Sequence, residues 1–216
     1  MYRGILFDFD GTLACTMEDN LEAWKAVTKK YGIDVKPDDY FPFEGLPMNE
    51  VAARFFTVNG LTPPDVSELV ALKDEWYLEH HRFSFYPGVE DLVDSLVQAT
   101  VPLGIVTAGL RDRLERTVPG DFLAKFATVV TGDMTHRGKP YPDPYVAGAN
   151  AMGLDPKECI VVENAPLGIQ AAKSAQSYCI AVCTTLERGY LIGADDIVER
   201  FEDLRRVPVI RGMLLS

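Results

Sequence analysis

The 216-residue chain has no C-x-x-C pair among its four cysteines, no apolar run long enough to cross a bilayer, and only 21 Lys and Arg against 32 Asp and Glu. Each shortage removes a class of protein. Cys15, Cys159, Cys179 and Cys183 are scattered, and the last two sit in an apolar, strand-like run over 178–183. That placement favours buried reduced thiols over a metal site or a disulfide framework. The formal net charge of −11 is the reverse of the basic surface that releases counterions from nucleic acid, so no nucleic-acid partner is expected. An anionic small molecule is not excluded by that charge, because a buried metal and a few cations can reverse the field locally. Without a long apolar run no membrane span is expected. Met1-Tyr2-Arg3-Gly4 leads into a short apolar run that Asp8 interrupts, which does not fit a signal peptide and points to the cytoplasm. There is no internal repeat and no low-complexity stretch, and nothing in the sequence sets an oligomeric state.

What is present is ordinary for a folded domain: 47% hydrophobic and 25% charged residues, enough for a sizeable core. Strand-like runs over 4–9, 101–107, 127–131, 159–163 and 178–183, with 197–198 as a short sixth, alternate with helical patterns over 89–98, 111–117, 144–152 and 166–175. Alternation of this kind predicts an α/β fold with a doubly wound parallel sheet, its strands buried on both faces. The stretch 15–85 breaks the rhythm. It carries helical periodicity only, with Leu21, Trp24, Val27 and Tyr31 on one face and Val66, Leu69, Lys73, Trp76 and Tyr77 partly on another. Helices without a strand must bury their faces against each other. An α-helical cap at 15–85, inserted into a core of 1–14 and 86–216, is therefore expected, with the turn Tyr86-Pro87-Gly88 marking the return.

Chemistry gathers at the ends of the strands, where α/β sheets place their ligands. The first strand ends in Asp8-Phe9-Asp10-Gly11-Thr12. Carboxylates at i and i+2 of an extended chain point the same way and repel, unless a cation separates them or one keeps its proton. A calcium loop is a poor alternative, since Leu13 stands at its obligatory sixth-position glycine. Carboxylates that only shape a turn are a second alternative. Thr107-Ala108-Gly109 closes another strand with a hydroxyl residue opening a helix, suited to a phosphate or, more plainly, to an N-cap. Lys139 lies in the proline-rich Gly138-Lys139-Pro140-Tyr141-Pro142 stretch, whose restrained backbone suits a fixed cation. Glu163-Asn164 ends a further strand with two oxygen donors fit for Mg²⁺.

At these residues the chain resembles the haloacid dehalogenase superfamily, over nearly its full length. The motifs are Asp8 to Leu13, Thr107, Lys139 within GKPYPDPY, and Glu163-Asn164-Ala165-Pro166-Leu167-Gly168. The helical insert resembles the cap of the branch that holds β-phosphoglucomutase and phosphoglycolate phosphatase. The resemblance implies Asp8 as the nucleophile and Asp10 as the acid/base. It implies Gly11, Thr107, Ala108 and Lys139 around the phosphoryl group, and Mg²⁺ on Asp8, the Asp10 carbonyl and the 163–164 pair. Asp10 points to phosphate esters, because an alkoxide leaving group needs a proton and a halide does not. Two departures stand out. Asn164 replaces the usual second acid. In the cap, Glu44, Gly45 and Met48 occupy the loop that in the mutase is basic, and Asn20 stands in place of its histidine. With Asn164 the metal binds more weakly or Glu163 moves in as its ligand, while the cap departures favour a phosphatase acting on a small monophosphate with a neutral or apolar remainder. A β-phosphoglucomutase-type isomerase is the second expectation, and a non-catalytic phosphate-ester-binding regulator the third.

Overall fold

The computed structural model describes residues 2–215; Met1 and Ser216, the outer ends of the expected core, lie outside them. Six strands form one sheet: β1 (Gly4–Phe7), β2 (Leu103–Val106), β3 (Thr128–Val130), β4 (Cys159–Glu163), β5 (Tyr178–Val182) and β6 (Asp196–Val198). All pairings are parallel, in the order β3-β2-β1-β4-β5-β6. Among the described residues ten α-helices accompany them: α1 (Met17–Thr28), α2 (Pro37–Tyr40), α3 (Met48–Thr57), α4 (Val66–His80), α5 (Val89–Gln98), α6 (Arg111–Thr117), α7 (Gly120–Leu123), α8 (Asp143–Ala151), α9 (Pro166–Ser174) and α10 (Pro208–Leu214).

The period-two rule for strands divides the core into two layers. Ile5 and Phe7 of β1 face α5, α6 and α10 through Val89, Leu92, Val93, Leu96, Leu114, Ile210 and Met213. Leu6 faces the other way, onto Tyr145 and Ala149 of α8 and Ile169 and Ala172 of α9. Helix α5 shows the cause: its buried positions 89, 92, 93 and 96 repeat at helical spacing and make one apolar stripe. The parallel sheet is thus covered on both faces, as the sequence predicts. Helix α7 was not legible, since its four residues give too few turns for a clear period.

Helices α1 to α4 hold a core of their own, including Leu21, Trp24, Tyr40, Val51, Phe55, Leu69 and Val70. Asp65 caps α4, its side chain accepting from the N–H groups of Ser67 and Glu68. The two chain segments joining this insert to the sheet run side by side: Cys15 N–H donates to Ser84 O at 2.8 Å and Tyr86 N–H to Leu13 O at 3.0 Å. No helix of the described residues is long and apolar enough to cross a membrane.

Candidate active site

β1 is flanked by β2 on one side and β4 on the other, so the chain reverses its direction of winding there and opens a crevice at the carboxyl ends. The strand pairing stops at Phe7, but Asp8 N–H still donates to Val162 O at 2.9 Å. Beyond it the carbonyl of Phe9 is turned back to accept from Leu13 and Ala14, both at 3.0 Å. Gly11 sits in this turn at φ +83°, and a β-carbon there would fall 2.1 Å from Asn164 Nδ2. Both the backbone and the space require glycine. Gly11→Ala should therefore lose about 1–3 kcal/mol, read by urea unfolding; wild-type stability would show that the turn accepts a side chain.

The early end of β1 changes the expected relation between the two aspartates. Once the chain leaves the strand, alternation no longer aligns them, and each takes its own cation. Asp8 Oδ1 accepts from Lys139 Nζ at 2.6 Å. Asp10 accepts from Arg113 through both oxygens, at 3.1 and 2.6 Å, and also from Thr16 Oγ1 at 2.7 Å and Asn20 Nδ2 at 3.2 Å. Burial pushes the Asp8 carboxyl well above its ordinary range; Lys139 opposes this and Glu163 adds to it. Burial acts on Asp10 as well, but the Arg113 guanidinium and the hydrogen bonds to Arg113 and Thr16 outweigh it and bring the group down to about 2. Burial disfavours the charge on Lys139, which Asp8 and Glu163 together more than restore, so the ammonium stays protonated. The second oxygen of Asp8, Oδ2, is buried and has no hydrogen-bond partner among the described residues.

Lys139 also donates to Glu163 Oε1 at 2.6 Å and to Val106 O at 3.3 Å. A carboxylate offers about four lone-pair positions, and Glu163 uses all of them. Tyr145 donates to Oε1 at 2.6 Å, and the N–H groups of Asn164 and Ala165 donate to Oε2 at 2.9 and 3.3 Å. Of the two residues expected at the metal, Glu163 is thus the one already saturated with donors. Among the described residues Asn164 Oδ1 accepts from Thr12 Oγ1 alone, at 3.2 Å, while Nδ2 donates to Thr185 Oγ1 at 2.5 Å. A free lone pair on Asn164 Oδ1 and the free Oδ2 of Asp8 are hard oxygen donors of the kind Mg²⁺ takes. Among the described residues no three His, Cys, Asp or Glu side chains gather as a metal cluster, so any such ion leans on an amide and a carbonyl as well as Asp8.

Thr107 follows β2, its Oγ1 accepting from Gly109 N–H at 3.0 Å and donating to Asp10 Oδ2 at 3.4 Å. Helix α6 begins only at Arg111, with Leu110 as its N-cap, so Thr107 heads a turn and does not itself open the helix. Thr107, Ala108 and Lys139 line a cavity of about 20 Å³ together with Gly45 and Pro47 from the insert. Gly45, at φ +96°, brings its backbone onto Lys139: a β-carbon there would lie 3.0 Å from Lys139 Cδ. Glu44 is buried beside it. Met48, expected in the same substrate loop, turns into the insert's own core with Val51 and Phe55, because it lies on the buried face of α3.

Two buried cations escaped the sequence reading of the site. Arg113 is 3% exposed and Lys73 fully buried. Lys73 donates to Asn20 and, at 3.1 Å, to Asp74. The signal for Arg113 was its place on the stripe Leu110, Arg113, Leu114, Thr117, where helical spacing puts a charge on the apolar face.

The family model of the haloacid dehalogenase-like hydrolases matches residues 5–182. The chain belongs to this family. It is 32% identical to the validoxylamine A 7'-phosphate phosphatase of Streptomyces hygroscopicus subsp. limoneus, over 95% of this chain and 97% of that one. Hexitol phosphatase A of Escherichia coli is 29% identical over 94% of this chain and 93% of its own. Among solved structures, β-phosphoglucomutase from Clostridium difficile superposes with a TM-score of 0.85 at 20% identity, covering 100% of this chain and 98% of that one. At that identity the likeness is one of fold alone.

Proposed function

We propose that this family member is a Mg²⁺-dependent phosphatase of small phosphorylated metabolites, sugar-type monoesters among them, working in the cytoplasm through an aspartyl-phosphate on Asp8. The observation that carries the reading is the Asp8 carboxylate, which is buried at the end of β1 with one oxygen on Lys139 and the other free. The names of the two phosphatase relatives support it. Asp8 attacks phosphorus, the bond to the ester oxygen breaks, and Asp10 gives that oxygen a proton. Asp10 then takes a proton from the water that attacks the aspartyl-phosphate, the bond from phosphorus to Asp8 breaks, and phosphate leaves. Thr107, Ala108 and Lys139 surround the transferring group, where fixed donors act on the charge that builds up. Held by Asp8 Oδ2, the Asp10 carbonyl and Asn164 Oδ1, Mg²⁺ would offset the repulsion between Asp8 and an anionic phosphate. Paired with Arg113, Asp10 is in the form that accepts a proton; before it can donate one it turns off the guanidinium and takes a proton from solvent, which the later deprotonation of water then restores.

Residues 15–85 act as the cap over this site. The cradle cavity of about 20 Å³ has room for little more than a water, so entry of a substrate requires the cap to lift. Glu44 stands where a mutase would need a cation for a second phosphate, which favours the phosphatase. A screen of phosphate monoesters with Mg²⁺, reading released phosphate, is expected to show turnover that a chelator abolishes. Turnover only in the presence of a bisphosphate activator would favour the mutase instead.

The metal assignment makes its own prediction. Asn164→Asp adds charge at a proposed ligand and should lower the Mg²⁺ concentration needed for half-activation. Glu163→Gln should reduce activity by loosening Lys139 while leaving that titration in place. A shifted titration in Glu163→Gln alone would transfer the ligand role to Glu163.

A further inference from the structure

Helix α4 carries apolar residues on more than one face. Leu69, Val70 and Tyr77 are buried. Leu72 and Trp76, one helical turn apart on another face, are not: Leu72 is 36% exposed and Trp76 half-buried. The Trp76 ring is held flat against that of His80, with centres 4.2 Å apart and planes at 8°. With Val27 of α1, these two side chains line a surface groove of about 350 Å³ between the helices. The two ends of the groove carry opposite charge. Helices α1 and α4 run antiparallel: Asp19, near the start of α1, accepts at 2.7 Å from the N–H of Arg82, just past the end of α4. Lys30 follows the end of α1 and Glu79 lies in the last turn of α4, so these two lining residues stand at opposite ends. Glu75 lines the groove one turn before Glu79.

None of these three charges is neutralised within the chain. Lys30 rests over the Tyr31 ring at 5.0 Å, and neither it nor Glu75 nor Glu79 makes an ion pair among the described residues. The other cations nearby are taken: Lys25 by Glu22 and Lys73 by Asp74. Arg116 of α6, which lines the adjoining cleft with both glutamates, is paired with Asp112 at 3.4 Å. We propose that the groove seats a second copy of this chain, the two inserts meeting face to face about a two-fold axis. An axis through the middle of the groove reverses the partner end for end. Lys30 of each chain then comes over the partner's Glu79, and the apolar floors meet between the two pairs. A groove of one sign would repel its own copy; one with a basic and an acidic end is its own complement. Each contact is made twice and the pair closes on itself, so assembly stops at two chains. The half-buried Trp76, already held in place by His80, supplies the aromatic anchor that such interfaces favour. The net charge of −11 on each chain opposes association, but at physiological salt it is screened beyond about 8 Å while the contact pairs are not.

Sedimentation of the full chain at about 0.15 M salt tests the pairing, and its result does not depend on whether the chain hydrolyses a phosphate ester. The wild type should run at twice the mass of one chain at about 100 µM and dissociate on dilution. Lys30→Glu and Glu79→Lys change exposed side chains, so both variants should melt as the wild type does. Each alone should weaken the pair by about tenfold or more, because like charges then meet at two places. Mixing the two variants should restore it: the reversed charges face each other, and so do the native Lys30 and Glu79. Trp76→Ala should weaken it by about 100-fold, while Lys157→Glu, an exposed change outside the groove, should leave it intact. A single-chain mass at every concentration would give the groove to another occupant and overturn the proposal. A dimer indifferent to both charge reversals, or one that the mixture fails to restore, would overturn it as well.

Discussion

Asp8→Asn is expected to lower phosphate release by about 10⁴-fold or more, as loss of a nucleophile does when the rest of a site stays in place. The amide cannot attack phosphorus, while Lys139, Thr107 and Asp10 keep their positions. The same substitution should leave stability nearly unchanged. Burial already disfavours the charge on Asp8, and Lys139 retains Glu163 and Val106 O as partners. Initial rates and a thermal melt on the same preparation separate the two effects. A variant that keeps a tenth of the activity, or one that melts far below wild type, would contradict the role given to Asp8.

Lys139→Met is expected to do the opposite to stability. Its ammonium joins Asp8 and Glu163, each at 2.6 Å, with all three side chains nearly inaccessible. Removing the shared cation leaves two like charges buried side by side. Breaking a buried pair in this way costs about 3–5 kcal/mol, which for a chain of this size lowers Tm by roughly 10 °C. Activity should be lost as well. The sign of the pH dependence follows from Asp8, whose carboxyl is raised in the folded chain and rises further without the lysine. A raised carboxyl contributes its stability below the unfolded value and loses it as pH climbs through the folded one. The difference in Tm between variant and wild type should therefore shrink on acidification from pH 8 to 5. Adding Asp8→Asn to Lys139→Met should restore part of the loss, because the two sites are coupled. An unchanged Tm, or a deficit that grows on acidification, would mean that the triad is not the buried ionic unit described.

The sheet was legible because buried parallel strands are written as continuous apolar runs, and runs 159–163 and 89–98 coincide with β4 and α5. Ends were less legible. The run 4–9 overshoots β1, since Phe9 is as apolar as a strand residue but spends its carbonyl on the turn that shapes the site. Acid, hydroxyl, lysine and acid-amide, read off successive strand ends, are side chains that the fold does bring together. Their order could not say which cation each aspartate would take. Arg113 comes from a seven-residue helix of the sheet-bearing part and Lys73 from the middle of α4 in the insert, and only tertiary packing brings the two into one neighbourhood. The partners of Glu163 were hidden for a related reason. A strand-end acid looks free in sequence, whereas its four donors come from α8, the Lys139 loop and the backbone that follows it.

The account is tested most directly by mixing the enzyme with Mg²⁺ and a turned-over phosphate ester, quenching in acid within the first turnover, and mapping phosphorylated peptides by mass spectrometry. The prediction is one phosphoryl group, on Asp8, absent from Asp8→Asn and lost from the wild type as the substrate is consumed. A phosphoryl group on another residue, with Asp8 unmodified while product forms, would contradict it.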